Sequence, residues 1–219
     1  MTTPHLHAAL FDLDGVVFDT ESQYTVFWGS QCKLYRPDRP GLEQEIKGRT
    51  LVEIFSRYFS DFKDEQPKIV ERLNSFERNM RFEYINGLVG FVEDLRRNSV
   101  KTAIVTSSNR MKMSAVYSAH PELKSLFDKI LTSEDFKEGK PSPDCYLKGA
   151  AAFGLKPEEC VVFEDSFNGL KAGRNAGMKV VGLATTNSEA AISPYSDLVV
   201  KDFRGLTYEK TNALLSRSV

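Results

Sequence analysis

The chain has 219 residues, with 29 Lys plus Arg against 30 Asp plus Glu and a formal net charge of −1. That length suits one sizeable domain, or a core carrying a small second one. The even charge balance, without a basic block, gives no case for nucleic acid or an anionic membrane as partner, and no apolar run approaches the roughly 20 residues that span a bilayer.

In chain order, Met1 to His7 has neither a basic region nor a long apolar run, so no secretory leader is expected. His7 to Asp12 (HAALFD) is a short apolar run that ends in acidic residues and Gly15, as a buried parallel strand would. The stretch from about Thr20 to Asn86 offers amphipathic helices and no convincing strand. Tyr24, Phe27, Trp28 and Gln31 mark one helix, stopped by Pro37, Pro40 and Gly41. Thr50 and Glu53 form a capping box ahead of Leu51, Ile54, Phe55 and Tyr58. Ile69, Leu73, Phe76 and Met80 follow at helical spacing. After that insert, Thr102 to Thr106, Cys160 to Phe163 and Lys179 to Leu183 repeat the apolar strand pattern. Helices are predicted between them: Ser108 to Ala119, stopped by Pro121; one opening at Ser142-Pro143-Asp144 and closing at Gly154; and Asn168 to Ala176, ended by Gly177. Alternating strands and helices mean a parallel sheet covered on both faces. The three cysteines, Cys32, Cys145 and Cys160, are scattered, and the histidines His5, His7 and His120 form no ligand cluster. Idle or buried thiols in a reducing cytoplasm are the simplest reading.

The chemistry concentrates where strands end. Asp12-Leu13-Asp14-Gly15 places two carboxylates two residues apart at the carboxyl end of the first strand, where parallel sheets bind ligands. Alone, Asp-x-Asp is common in loops and calcium sites. Glu164-Asp165 stands at the end of a later strand and could be a solvated turn. If the two strands are neighbours, four carboxylates share a cleft and need a counter-ion, which a hard divalent cation such as Mg2+ supplies. Thr106-Ser107-Ser108-Asn109 offers a hydroxyl and backbone N–H groups at a helix start, suited either to an oxyanion or to plain capping. Lys140, between Gly139 and two prolines, is placed as a fixed positive charge.

Together these residues resemble the haloacid dehalogenase-like superfamily, most closely its beta-phosphoglucomutase-like branch. Four motifs occur in the expected order: DLDGV at 12–16, VTSSN at 105–109, GKPSPD at 139–144 and EDSFNG at 164–169. The resemblance covers nearly the whole chain and implies an α/β fold: a Rossmann-like parallel sheet core from 1–19 and 87–219, with a small inserted α-helical cap domain at 20–86. It implies Asp12 as nucleophile and magnesium ligand, and Asp14 as general acid/base that ligates through its backbone carbonyl. Thr106 and the Ser107 N–H would hold phosphoryl oxygens and Lys140 would neutralise charge, while Asp165, with Glu164, would complete the metal site. Gly48-Arg49-Thr50 resembles that branch's substrate-facing cap loop. Where glucose-phosphate mutases carry a cap histidine this chain has Tyr24, and Lys68, Arg72 and Arg78 give no clear match to the mutases' cap lysine.

The resulting expectation is a cytoplasmic, monomeric, magnesium-dependent phosphatase. It would hydrolyse a small phosphorylated metabolite, a sugar phosphate or similar, through an aspartyl-phosphate. A phosphomutase is the alternative. A carbon–halogen hydrolase would leave Asp14 no leaving group to protonate, and a non-catalytic binding module would not need to keep Asp12, Asp14 and Lys140.

Overall fold

The computed structural model describes residues 5–47 and 49–216. Six parallel strands make the sheet among these residues: β1 Ala8–Phe11, β2 Lys101–Val105, β3 Lys129–Leu131, β4 Cys160–Glu164, β5 Lys179–Leu183 and β6 Leu198–Val200. Their order is β3-β2-β1-β4-β5-β6, so β1 lies at the centre with β2 and β4 on either side. Phe11 is in register with Ile104 on one neighbour and Phe163 on the other. All four residues of β1 are buried, as a strand covered on both faces requires.

Eleven α-helices accompany the sheet among the described residues. Helices α1 Glu21–Tyr35, α2 Leu42–Ile46, α3 Leu51–Tyr58 and α4 Gln66–Arg78 follow β1, and α5 Leu88–Arg97 leads into β2. Next come α6 Arg110–Ala119, α7 Leu123–Leu126, α8 Asp144–Ala151, α9 Phe167–Asn175, α10 Glu189–Ile192 and α11 Tyr208–Leu215. No described helix is long and apolar enough to cross a membrane.

Each face of the sheet buries its own core. Under α5, α6 and α11, Phe11 stacks on Phe163 at 4.5 Å, with Phe91, Phe127 and Phe203 edging or tilting against the pair. Opposite, Leu10, Val105, Val162 and Val180 meet α8 and α9. A third cluster belongs to α1–α4, where Phe27, Trp28, Ile46, Ile54, Phe59 and Ile69 pack together. Helix α3 opens on the expected Thr50–Glu53 capping box.

The structure departs from the sequence reading in several places. β3 and β6 were not predicted: each has three residues, lies at an edge and is only partly buried, so no apolar run marks it. Met80 lies beyond the end of α4 and is buried in the first sheet core instead of continuing the helical stripe. Ser142 does not cap α8: Pro143 holds the cap position, and the Asp144 carboxylate accepts the Lys137 N–H at 2.6 Å.

Candidate active site

β1 ends at Phe11, so Asp12 and Asp14 sit in the loop beyond it and not on the strand itself. The Asp12 N–H still donates to the Phe163 carbonyl at 3.0 Å, which holds it beside β4. Gly15 turns the loop at φ 71°, a left-handed conformation that suits glycine, and a Cβ there would collide with the Asp165 carboxylate. Gly169 is required for a similar reason, since a Cβ would overlap the Glu164 carboxylate. Because β2, β1 and β4 are adjacent, Thr106, Asp12 and Asp165 emerge side by side at the carboxyl edge of the sheet.

Lys140 reaches this edge from the loop before α8. Its Nζ donates to Asp12 Oδ1 and Glu164 Oε1, both at 2.6 Å, and to the Val105 carbonyl at 3.1 Å. Burial works against the ammonium, but the Asp12 and Glu164 carboxylates outweigh it and raise the lysine above its ordinary range. Burial also pushes Asp12 up to about 7, helped by Glu164 and Asp14 and opposed by Lys140. Asp165 is driven well above the usual carboxylate range by burial and by the Glu164 and Asp12 charges. Asp12, Glu164 and Asp165 set three carboxylates against the single Lys140 ammonium, a balance that a divalent cation would complete.

Asp12, Glu164 and Asp165 each present an oxygen within 4.8 Å of the others, a hard all-oxygen donor set that fits magnesium. Within this group Glu164 is fully buried and already engaged at both oxygens. Oε1 takes Lys140 and the Tyr146 hydroxyl, and Oε2 takes the Asp165 N–H and the Ser166 hydroxyl. Asp12 and Asp165 face the cavity; Glu164 does not.

Asp14 belongs to a different set of contacts. Its Oδ1 accepts from Thr20 at 2.7 Å, and its Oδ2 accepts from Ser108 at 3.1 Å and from Lys112 at 2.5 Å. Burial pushes Asp14 upward, but Lys112, Thr20 and Ser108 outweigh it and hold the carboxyl below its usual range. The expected four carboxylates facing one lysine are therefore divided: three share Lys140's side and the fourth has its own lysine.

A cavity of about 450 Å³ joins this edge to α1–α4. Asp12, Asp14, Thr106, Ser107, Lys140 and Asp165 line one wall, and Arg49 and Thr50 line the other with Glu21, Tyr24 and Trp28. Arg49 is anchored through Nε to the Glu45 carbonyl at 2.7 Å. Thr50 serves the α3 cap, whose Glu53 also accepts from Asn168 of α9 at 3.0 Å. Gly48 lies outside the described residues. Sequence reasoning missed Lys112, which hydrogen-bonds Asp14. One sign was available: Lys112 sits in the first turn of α6, where the helix dipole disfavours a cation.

A Rossmann-like sheet with an acidic carboxyl edge and a fixed lysine describes a phosphoryl-transfer site. The chain belongs to the haloacid dehalogenase-like hydrolase family, whose model matches residues 9–183, and is an enzyme of its phosphatase branch. It is 34% identical over 185 residues to a probable pseudouridine-5'-phosphatase from Drosophila melanogaster, covering 78% of this chain and 79% of that protein. Against a bifunctional riboflavin kinase/FMN phosphatase from Arabidopsis thaliana it is 29% identical over 211 residues, 94% of this chain but 54% of that protein. The chain thus spans about half the length of that relative. Among solved structures, a family hydrolase from Entamoeba histolytica superposes with a TM-score of 0.85 at 23% identity, covering 97% of this chain and all of the other. That likeness concerns the fold.

Proposed function

We propose that the protein is a magnesium-dependent phosphatase that hydrolyses a small phosphorylated metabolite through an aspartyl-phosphate on Asp12. The observation that carries this reading is Asp12 at the centre of the sheet edge, 2.6 Å from buried Lys140 and flanked by Thr106 and Asp165. Thr106, the Ser107 N–H and Lys140 hold the phosphoryl oxygens. An Asp12 oxygen attacks phosphorus, the bond to the leaving oxygen breaks, and that oxygen takes a proton from the Asp14 carboxyl. Water then attacks phosphorus, gives its proton to Asp14, and the Asp12 carboxylate is released with inorganic phosphate. The contacts that keep Asp14 ionised suit this second, base half of the cycle. Asp12 and Asp165 would hold the magnesium, which supplies charge neutralisation at the phosphoryl group; Glu164 fixes Lys140 beneath them.

Helices α1–α4, with residues 20–86 as their bounds, act in this reading as a cap that excludes water and contacts the leaving group. The relatives named for pseudouridine 5'-phosphate and FMN support a phosphate monoester of a small polar metabolite as substrate. Three free, buried cysteines suit a cytoplasmic enzyme. The test is Asp12→Asn, assayed with magnesium on 4-nitrophenyl phosphate and on a panel of metabolite phosphates. Turnover should vanish, because an amide neither attacks phosphorus nor ligates as an anion. Hydrolysis near the wild-type rate would end this reading.

A further inference from the structure

Lys112 is buried, and its ammonium is shared by two partners on different elements. Nζ donates to Asp14 Oδ2 at 2.5 Å and to the Tyr24 hydroxyl at 2.6 Å. Tyr24 in turn donates to Glu77 Oε1 at 2.7 Å. The result is an unbroken run from Asp14, through Lys112 on α6 and Tyr24 on α1, to Glu77 on α4. It crosses from the sheet edge into the helices above it. Tyr24 is locked in place, with its ring 5.8 Å from that of Phe76.

Helix stability does not explain a lysine here. An ammonium in the first turn opposes the helix dipole, and burying one is costly unless every donor is matched. The carboxylate and the hydroxyl take two of its three donors, and the carboxylate pairs its charge, so the position is favourable only while all three side chains keep their places. Thr20 and Ser108 also hold Asp14, and the Thr20 carbonyl accepts the Tyr24 N–H at 3.1 Å, but of Asp14's three donor groups only the Lys112 ammonium hydrogen-bonds the Tyr24 hydroxyl, and through it reaches Glu77.

We propose that Lys112 is a positioning residue: with Tyr24 and Glu77 it fixes the Asp14 carboxylate in register with the α1–α4 layer, so that turnover depends on where that layer sits. This rests on the reading of Asp14 as the general acid/base. Closure of the layer moves Tyr24 and Glu77 together, and Lys112 passes that movement to Asp14.

The experiment compares Lys112→Met, Tyr24→Phe, the double variant and Lys112→Arg with the full-length magnesium-loaded enzyme on 4-nitrophenyl phosphate. Loss of a positioned acid/base costs 10²-fold or more, so Lys112→Met should lower kcat by roughly 10- to 100-fold while KM moves by no more than about threefold. Tyr24→Phe removes only one hydroxyl and should lower kcat several-fold without unfolding the protein. The double variant should lose little more than Lys112→Met alone, because residues acting through one another are not additive. Lys112→Arg should recover part of the rate, since a guanidinium can still bridge both partners. Additive losses, or wild-type kcat in both Lys112→Met and Tyr24→Phe, overturn the proposal. Should Lys112→Met fail to fold, Tyr24→Phe and Lys112→Arg decide it: wild-type kcat in Tyr24→Phe overturns it and a lowered kcat with unchanged KM supports it. Asp14→Asn is the control. If it leaves kcat unchanged the acid/base reading has failed, whereas a large loss there with none in the Lys112 and Tyr24 variants fails the positioning idea alone.

Discussion

Two glycines and two acids carry most of the site's constraint at the scale of single residues. Gly15 sits at φ 71° with the Asp165 carboxylate where a Cβ would be. Gly15→Ala should therefore cost roughly 1–2 kcal/mol of backbone strain and, by pushing Asp165 aside, raise the magnesium needed for half-maximal rate by roughly 10-fold or more. Magnesium titration of the purified variant reads this directly, and an unchanged titration would show that Asp165 does not hold the ion. The two acids make stability depend on pH. Asp12 titrates at about 7 in the folded protein against 3.8 for an ordinary aspartate, and Asp165 is also raised. Between those values the folded state binds more protons than the unfolded one, so stability falls as pH rises through that window. Metal-free protein should lose melting temperature between pH 5 and 8 on this account. Magnesium, which binds the deprotonated carboxylates, should raise it more at pH 8 than at pH 5. Equal increments at both pH values would contradict the cation site. These residues were legible in the sequence because each ends a strand, where chemistry on a parallel sheet collects. Lys112 left only its place in the first turn of α6 as a sign, because the packing of α6 against α4 is what turns a helical lysine toward Tyr24 and Asp14.

Among the elements, the central strands announced themselves and the edge strands did not. Ala8–Phe11, Lys101–Val105, Cys160–Glu164 and Lys179–Leu183 are buried for most of their length, which demands apolar runs that a reader can see. Lys129–Leu131 and Leu198–Val200 are only partly buried and are ordered mainly by pairing with a neighbour. Helix α3 was readable for a local reason, the reciprocal Thr50–Glu53 cap. Arg49 precedes α3 on the cavity wall, its Nε spent on the Glu45 carbonyl. If α1–α4 read the leaving group, Arg49→Ala should reduce kcat/KM for the natural substrate by roughly 10-fold or more, the loss expected for a charge-assisted contact. It should scarcely change hydrolysis of 4-nitrophenyl phosphate, which extends little beyond the phosphoryl pocket. Equal losses on both compounds would place Arg49 in folding or phosphate binding instead.

For the molecule as a whole, the fate of a phosphoryl group on Asp12 separates a phosphatase from a mutase. A mutase must protect that intermediate from water until the bound sugar turns and presents its second hydroxyl, which demands coupling between closure and the placement of Asp14. In the glucose-phosphate mutases that this chain resembles, a cap histidine takes part in the coupling. Here the position belongs to Tyr24, whose phenol is pushed well above its ordinary range by burial and by the Asp14 and Glu77 charges. It cannot exchange a proton near neutral pH as an imidazole can. Its hydroxyl joins a fixed run of hydrogen bonds from Lys112 to Glu77 instead. Asp14, held ionised by Lys112, is already in the form that takes a proton from water. That form serves attack by water or by a sugar hydroxyl alike, so it is the missing imidazole that favours hydrolysis over return of the group to sugar. With beta-glucose 1-phosphate and a trace of glucose 1,6-bisphosphate, phosphate release should therefore match or exceed formation of glucose 6-phosphate. Isomerisation outrunning phosphate release many-fold would make the enzyme a mutase, and the coupling that the histidine supplies elsewhere would then have to run through the Tyr24 hydroxyl and Lys112.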